Sequence, residues 1–124
     1  MNIIVLASQL VAFADPIRLR ILGLLSAGEM CAGDLQRALR IPQPSTSRQL
    51  AALRLAKAVE TRRAGLRIYY RLARPAEPAF ADLLRLVSEA AAAAGRGVDS
   101  GNSPAKSAGP MPPHRPGIEP DFLD

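Results

Sequence analysis

The sequence predicts a mainly α-helical fold carrying one small β-hairpin, and three observations support this. Apolar residues recur at helical spacing over most of the first 95 residues. Strict alternation is confined to residues 59–63 and 67–72, on either side of Ala64-Gly65-Leu66. Proline-marked helix starts at Asp15-Pro16 and Pro42-Gln43-Pro44 divide the helical part into short segments.

The chain has 124 residues, 48% hydrophobic and 22% charged, which suits one small domain with a modest core. Sixteen Lys and Arg against eleven Asp and Glu give a net charge of +5 and a pI near 10.3, a balance that favours a polyanionic partner. One cysteine cannot form an internal disulfide, and it leaves no thiol pair for a structural zinc. That usage suits a reducing compartment, so a cytoplasmic protein is expected. No apolar run reaches the ~18 to 20 residues of a membrane span. Ile3-Ile4-Val5-Leu6 lacks the basic flank of a secretory signal. No nucleophile with its base, phosphate-binding glycine loop or metal triad is evident, so neither an enzyme nor a cofactor is expected.

The first predicted helix covers Asn2 to Ala14, with Ile3, Leu6, Leu10 and Phe13 at helical spacing and Ile4, Val5 and Val11 widening the apolar face. A face that wide needs a second neighbour, and a second subunit would supply it. Asp15 and Pro16, an N-cap carboxylate and a proline at the first position, open the next helix. It is predicted to run to about Ala27, with Ile17, Ile21, Leu24 and Leu25 inward and Gly28 closing it. Leu35, Ala38 and Leu39 mark a short helix that ends before Pro42.

The following helix is fronted by Gln43-Pro44-Ser45-Thr46-Ser47-Arg48-Gln49. Thr46, Leu50 and Leu53 form a narrow inward stripe, while Ser45, Ser47, Arg48 and Gln49 face out. Hydroxyls, an amide and a guanidinium on one exposed front can meet phosphates and base edges in a major groove. In the hairpin, Ile68, Tyr70 and Leu72 alternate with Arg67, Tyr69 and Arg71, and Gly65 supplies the turn. With Arg62, Arg63 and Arg67 at its tip, it makes a basic wing beside the polar helix. Helix, turn, helix and basic hairpin in this order predict a winged helix-turn-helix.

Pro75-Ala76-Glu77-Pro78 opens a last helix with Phe80, Leu83, Leu84 and Val87 on its apolar stripe, running into alanines that Gly95 and Gly97 are expected to stop. The domain is therefore placed at residues 1–95. Residues 96–124, rich in Gly, Pro and Ser and without periodicity, are expected to be a disordered tail.

Three segments, Phe13-Ala14-Asp15-Pro16-Ile17-Arg18-Leu19-Arg20-Ile21-Leu22, Gln43-Pro44-Ser45-Thr46-Ser47-Arg48-Gln49-Leu50 and Arg63 to Leu72, resemble the ArsR/SmtB winged-helix repressors. The resemblance covers residues 2 to 95. It implies a homodimeric bacterial repressor that binds double-stranded operator DNA of inverted-repeat form and leaves it when an inducer binds. DNA contacts are then expected from Gln43, Ser45, Thr46, Ser47, Arg48, Gln49, Arg62, Arg63 and Arg67. The two terminal helices are expected to form the dimer interface through Ile3, Leu6, Leu10, Phe80, Leu84 and Val87.

The departures concern the inducer. Arsenic-sensing members carry a Cys-x-Cys pair where this chain has Cys31-Ala32-Gly33. Zinc-sensing members use histidines and carboxylates on the last helix, where this chain has Asp82 and Glu89 without a histidine. One soft ligand cannot hold a trigonal or tetrahedral ion, so no metal site is expected. Pro42 and Lys57 stand where the family commonly has serine and glycine. Cys31 reads as a small core residue or as a sensor thiol at a helix start, responding to oxidation or a soft metal. The competing reading of the basic face is a protein-interaction module recruiting an acidic partner.

Overall fold

The computed structural model describes residues 2–99, with side chains for residues 2–95. Five helices and a small antiparallel sheet follow in the order α1 (Ile3–Phe13), α2 (Pro16–Leu25), β1 (Met30–Cys31), α3 (Ala32–Leu39), α4 (Gln43–Leu55), β2 (Val59–Ala64), β3 (Arg67–Leu72) and α5 (Pro78–Asp99).

Local chemistry fixes the starts of the first two helices. The Asn2 side chain accepts from the Val5 N–H, and Asp15 Oδ2 accepts from the N–H groups of Ile17 and Arg18 at 3.0 and 3.1 Å. A side-chain N-cap of this kind contributes about 1 kcal/mol. Helix α2 closes at Leu25, two residues short of the expected Ala27. Its final turn tightens to i→i+3 bonds, from Ala27 to Leu24 and from Gly28 to Leu25, and the Ser26 hydroxyl donates to Gly23.

Helix α5 runs in the other direction, beyond expectation, to Asp99. Glycine lowers helix stability by about 1 kcal/mol without breaking the hydrogen-bond ladder, and the preceding alanines propagate it through Gly95 and Gly97. The helix therefore crosses the expected domain limit at residue 95. The tail expected from residue 96 lies outside the described residues from residue 100 on.

The sheet has the strand order β1-β3-β2. Alternation announced β2 and β3, which pair from Val59↔Leu72 to Ala64↔Arg67 across the two-residue turn Gly65-Leu66. Gly65 at φ 66° fills the first central position, where a type II′ turn requires positive φ. Strand β1, with Met30↔Tyr70 and Cys31↔Tyr69, is an addition to the hairpin expected from the sequence. Two residues are too short to show a period.

Ile21, Leu22, Leu25, Leu35, Leu39, Leu50 and Leu53 form the centre of the core, so α2, α3 and α4 share one apolar interior. Helix α5 closes it from the side of α2. At Gly23 the two helices approach so closely that a Cβ would lie 2.9 Å from the Ala92 nitrogen. Phe13 and Phe80 stack with centroids 6.3 Å apart, joining α1 to α5.

This packing corrects part of the expected dimer face. Phe80 and Leu84 are 4% and 2% exposed and belong to the core of the single chain. An apolar stripe shows that a face is covered, and here the rest of the same chain covers it. Ile3 and Leu10 are exposed, whereas Leu6 and Val87 are half-buried.

Candidate nucleic-acid interface

The turn between α3 and α4 is built by residues that cannot continue a helix. Arg40 ends α3 in the left-handed region at φ 55°, Ile41 is buried beneath the turn and Pro42 precedes α4. The Gln36 side chain donates through Nε2 to the Ile41 carbonyl, fastening the turn to α3. The N–H groups of Ser45 and Thr46 donate to the Pro42 carbonyl at 3.0 and 3.2 Å, and Pro44 sits in the first turn where a missing N–H costs nothing.

From that start, Thr46, Leu50 and Leu53 point into the core. Thr46 is wholly buried, which removes it from the expected DNA-contacting set: its position on the Leu50–Leu53 stripe outweighs its hydroxyl. Gln43, Ser45, Ser47 and Gln49 are half-buried and Arg48 is exposed. Arg48 reaches back to the Ser45 hydroxyl at 3.4 Å, and Gln49 accepts at Oε1 from Arg18 Nη1 at 2.6 Å. Arg18 is absent from the contact residues expected from the sequence, because its link to α4 spans 31 positions that no local pattern connects.

The wing arginines divide between two faces of the hairpin. Cross-strand partners share a face, so Arg62 and Arg67 lie with Tyr69, and Arg63 lies with Ile68 on the opposite face. Arg62 is engaged by Glu29 through two hydrogen bonds and stands 4.6 Å over the Tyr69 ring. Its donated hydrogen bond and charge hold the Glu29 carboxyl below its ordinary value. Arg67 approaches the Cys31 sulfur at 3.7 Å. Arg63 is exposed and has no partner among the described residues.

Glu60 pairs with Arg71 and accepts from the Arg74 N–H, and these contacts lower its carboxyl pKa, the Arg74 hydrogen bond contributing most. Glu29 and Glu60 thus neutralise two of the hairpin's cations, leaving Arg63 and Arg67, with Arg48 on α4, without a salt bridge among the described residues. Cys31, expected as a sensor thiol or a core residue, is buried at the start of α3. No three His, Cys, Asp or Glu side chains converge on a metal-sized site among the described residues.

A three-helix core with a polar-fronted second helix and an antiparallel wing defines a winged helix-turn-helix domain. Residues 15–60 match the family model described as bacterial regulatory protein, arsR family. The chain is 42% identical over 62 residues to a transcriptional repressor SmtB homolog of Synechocystis sp., covering 50% of this chain and 47% of that protein. It is 43% identical over 61 residues to the transcriptional repressor SdpR of Bacillus subtilis, covering 49% and 68%. The solved transcriptional repressor BigR from Xylella fastidiosa superposes with a TM-score of 0.58 at 35% identity, over 66% of this chain and 78% of that one. The chain belongs to the arsR family of bacterial regulatory proteins. The match spans about half the length of the Synechocystis relative. Among the described residues no helix is long and apolar enough to cross a membrane.

Proposed function

We propose that this protein is a transcriptional repressor that binds an inverted-repeat operator as a homodimer, with α4 in the major groove and the wing over the adjacent backbone. The observation that carries the reading is α4 itself, whose half-buried Ser45 and Ser47 and exposed Arg48 stand clear of the buried stripe on a chain that also carries an arginine-bearing hairpin. These are groups for phosphate and base-edge contact, and the solved repressor BigR shares the fold that presents them. Dimerisation is supported by α1, which leaves Ile3, Ile4 and Val11 at 77%, 76% and 68% exposure, and by Leu86 on α5. Ile4 and Val11 stand seven residues apart, on one side of α1, and an exposed apolar helix face is costly on a free monomer. Two recognition helices in successive grooves would stand about 34 to 36 Å apart.

Selection of bound duplexes from a random pool tests operator and symmetry together. An enriched inverted repeat supports the reading, and a single unpaired half-site contradicts the dimer. Sedimentation supplies the second arm: wild type is expected to be a dimer at micromolar concentration and Ile4→Glu a monomer. The inducer is proposed to be something other than a metal ion held in the family's manner, because Cys31 is the chain's one thiol and Gly33 occupies the second thiolate position. Titration of the DNA complex with zinc, cadmium and trivalent arsenic checks this. Stoichiometric release of wild type, but not of Cys31→Ser, would overturn it.

A further inference from the structure

Arg18, the third residue of α2, donates in two directions. Nε donates to the Ala12 carbonyl, one of those left over at the C-terminus of α1. Nη1 donates to Gln49 Oε1 at 2.6 Å, so one guanidinium joins the end of α1 to the middle of α4. A guanidinium has donors only, and the Gln49 atom facing it must therefore be the amide oxygen. The two hydrogens on Nε2 meet no acceptor among the described residues, and Nε2 is not a buried unpartnered atom.

We infer that Arg18 is a positioning residue for base recognition: by drawing Gln49 Oε1 toward α2, it leaves Nε2 as the group presented to a base, and so favours acceptor edges, of which N7 and O6 of guanine are the richest. The inference rests on the proposed operator binding. An unrestrained glutamine reads adenine through two bonds side by side, Oε1 accepting from N6 and Nε2 donating to N7. With Oε1 drawn toward α2, that paired arrangement is closed. The Ala12 contact holds the guanidinium through Nε, so the donor that engages Gln49 is itself anchored to the end of α1.

The test is selection of bound duplexes from a random pool by the full chain as wild type, Gln49→Ala, Gln49→Glu and Arg18→Met. Gln49→Ala is expected to relax one position per half-site, and that position should be guanine in the wild-type motif. Arg18→Met should admit adenine there while keeping the rest of the motif. Gln49→Glu retains an oxygen for Arg18 but loses both donors, so its guanine preference should fall by about fivefold or more. Adenine at the Gln49-dependent position in wild type overturns the inference. So does unchanged guanine preference in Arg18→Met or Gln49→Glu, or a motif that Gln49→Ala leaves intact. Should Arg18→Met bind no duplex, Gln49→Glu decides alone. Should wild type enrich no motif, the proposed function itself fails and this inference falls with it.

Discussion

Nε and Nη2 of Arg62 donate to Oε2 and Oε1 of Glu29, each at 2.8 Å, and so fasten the wing to the residue just before β1. The pair joins positions 33 apart and leaves Arg62 also over the Tyr69 ring. Both partners reach solvent, so the clamp matters more for where the wing stands than for global stability.

The Glu29 carboxyl has a clear pH signature. Its pKa is depressed from an ordinary 4.5, chiefly by the hydrogen bond from Arg62. A depressed carboxyl contributes stability that is present above its unfolded value and lost as pH falls through the folded one. Thermal melts at neutral pH should place Glu29→Gln below wild type, and the difference should vanish in acid below 4.5. A gap that persists unchanged in acid would assign the effect to something other than the ion pair.

The two neighbouring arginines of β2 should behave unequally on DNA. Arg63 has no partner to give up among the described residues, whereas Arg62 must share its charge with Glu29. Arg63→Ala should weaken binding to all duplexes alike and flatten the plot of log affinity against log salt by about 0.9, the loss of one phosphate contact. Arg62→Ala should flatten it by less, which titrations at several salt concentrations would resolve.

Thr46 should tolerate loss of its hydroxyl. Oγ1 is buried without a hydrogen-bond partner, so Thr46→Val removes an unsatisfied polar atom at nearly constant shape. Stability in urea is expected to rise by about 1 kcal/mol, with DNA affinity unchanged. A loss of affinity in a well-folded Thr46→Val would return the residue to the interface.

Gly23 should tolerate nothing larger. An added Cβ would lie 2.9 Å from Ala92 N and 3.0 Å from Ala91 C, both backbone atoms of α5. Gly23→Ala gains helix propensity but must push α5 off α2, and a net loss of about 1 to 3 kcal/mol is expected from such overpacking. Denaturant unfolding at an unchanged midpoint would show that α5 yields without cost.

What could be read from the sequence was local chemistry. Asp15-Pro16 announces α2 because cap and first turn are adjacent, and Ile68, Tyr70 and Leu72 announce β3 because alternation shows within six residues. Pairs distant in sequence left no trace: Arg18 with Gln49, Arg62 with Glu29, and β1 with β3. Phe80 was visible as apolar, but periodicity cannot separate a residue that packs on Phe13 from one awaiting a second subunit. Thr46 shows the opposite confusion, since a hydroxyl within a polar run hid a core position.

Cys31 is the last residue of β1 and pairs with Tyr69, and its buried sulfur lies 3.7 Å from Nη1 of Arg67 on the strand that carries the wing. A two-residue strand is a small cooperative unit and should detach at far lower free energy than the helical core. Alkylation of the thiol would then proceed only through those brief openings, its rate falling when DNA or a ligand quiets the hairpin. The chain's one cysteine thus provides a built-in kinetic probe of wing motion, readable by mass alone.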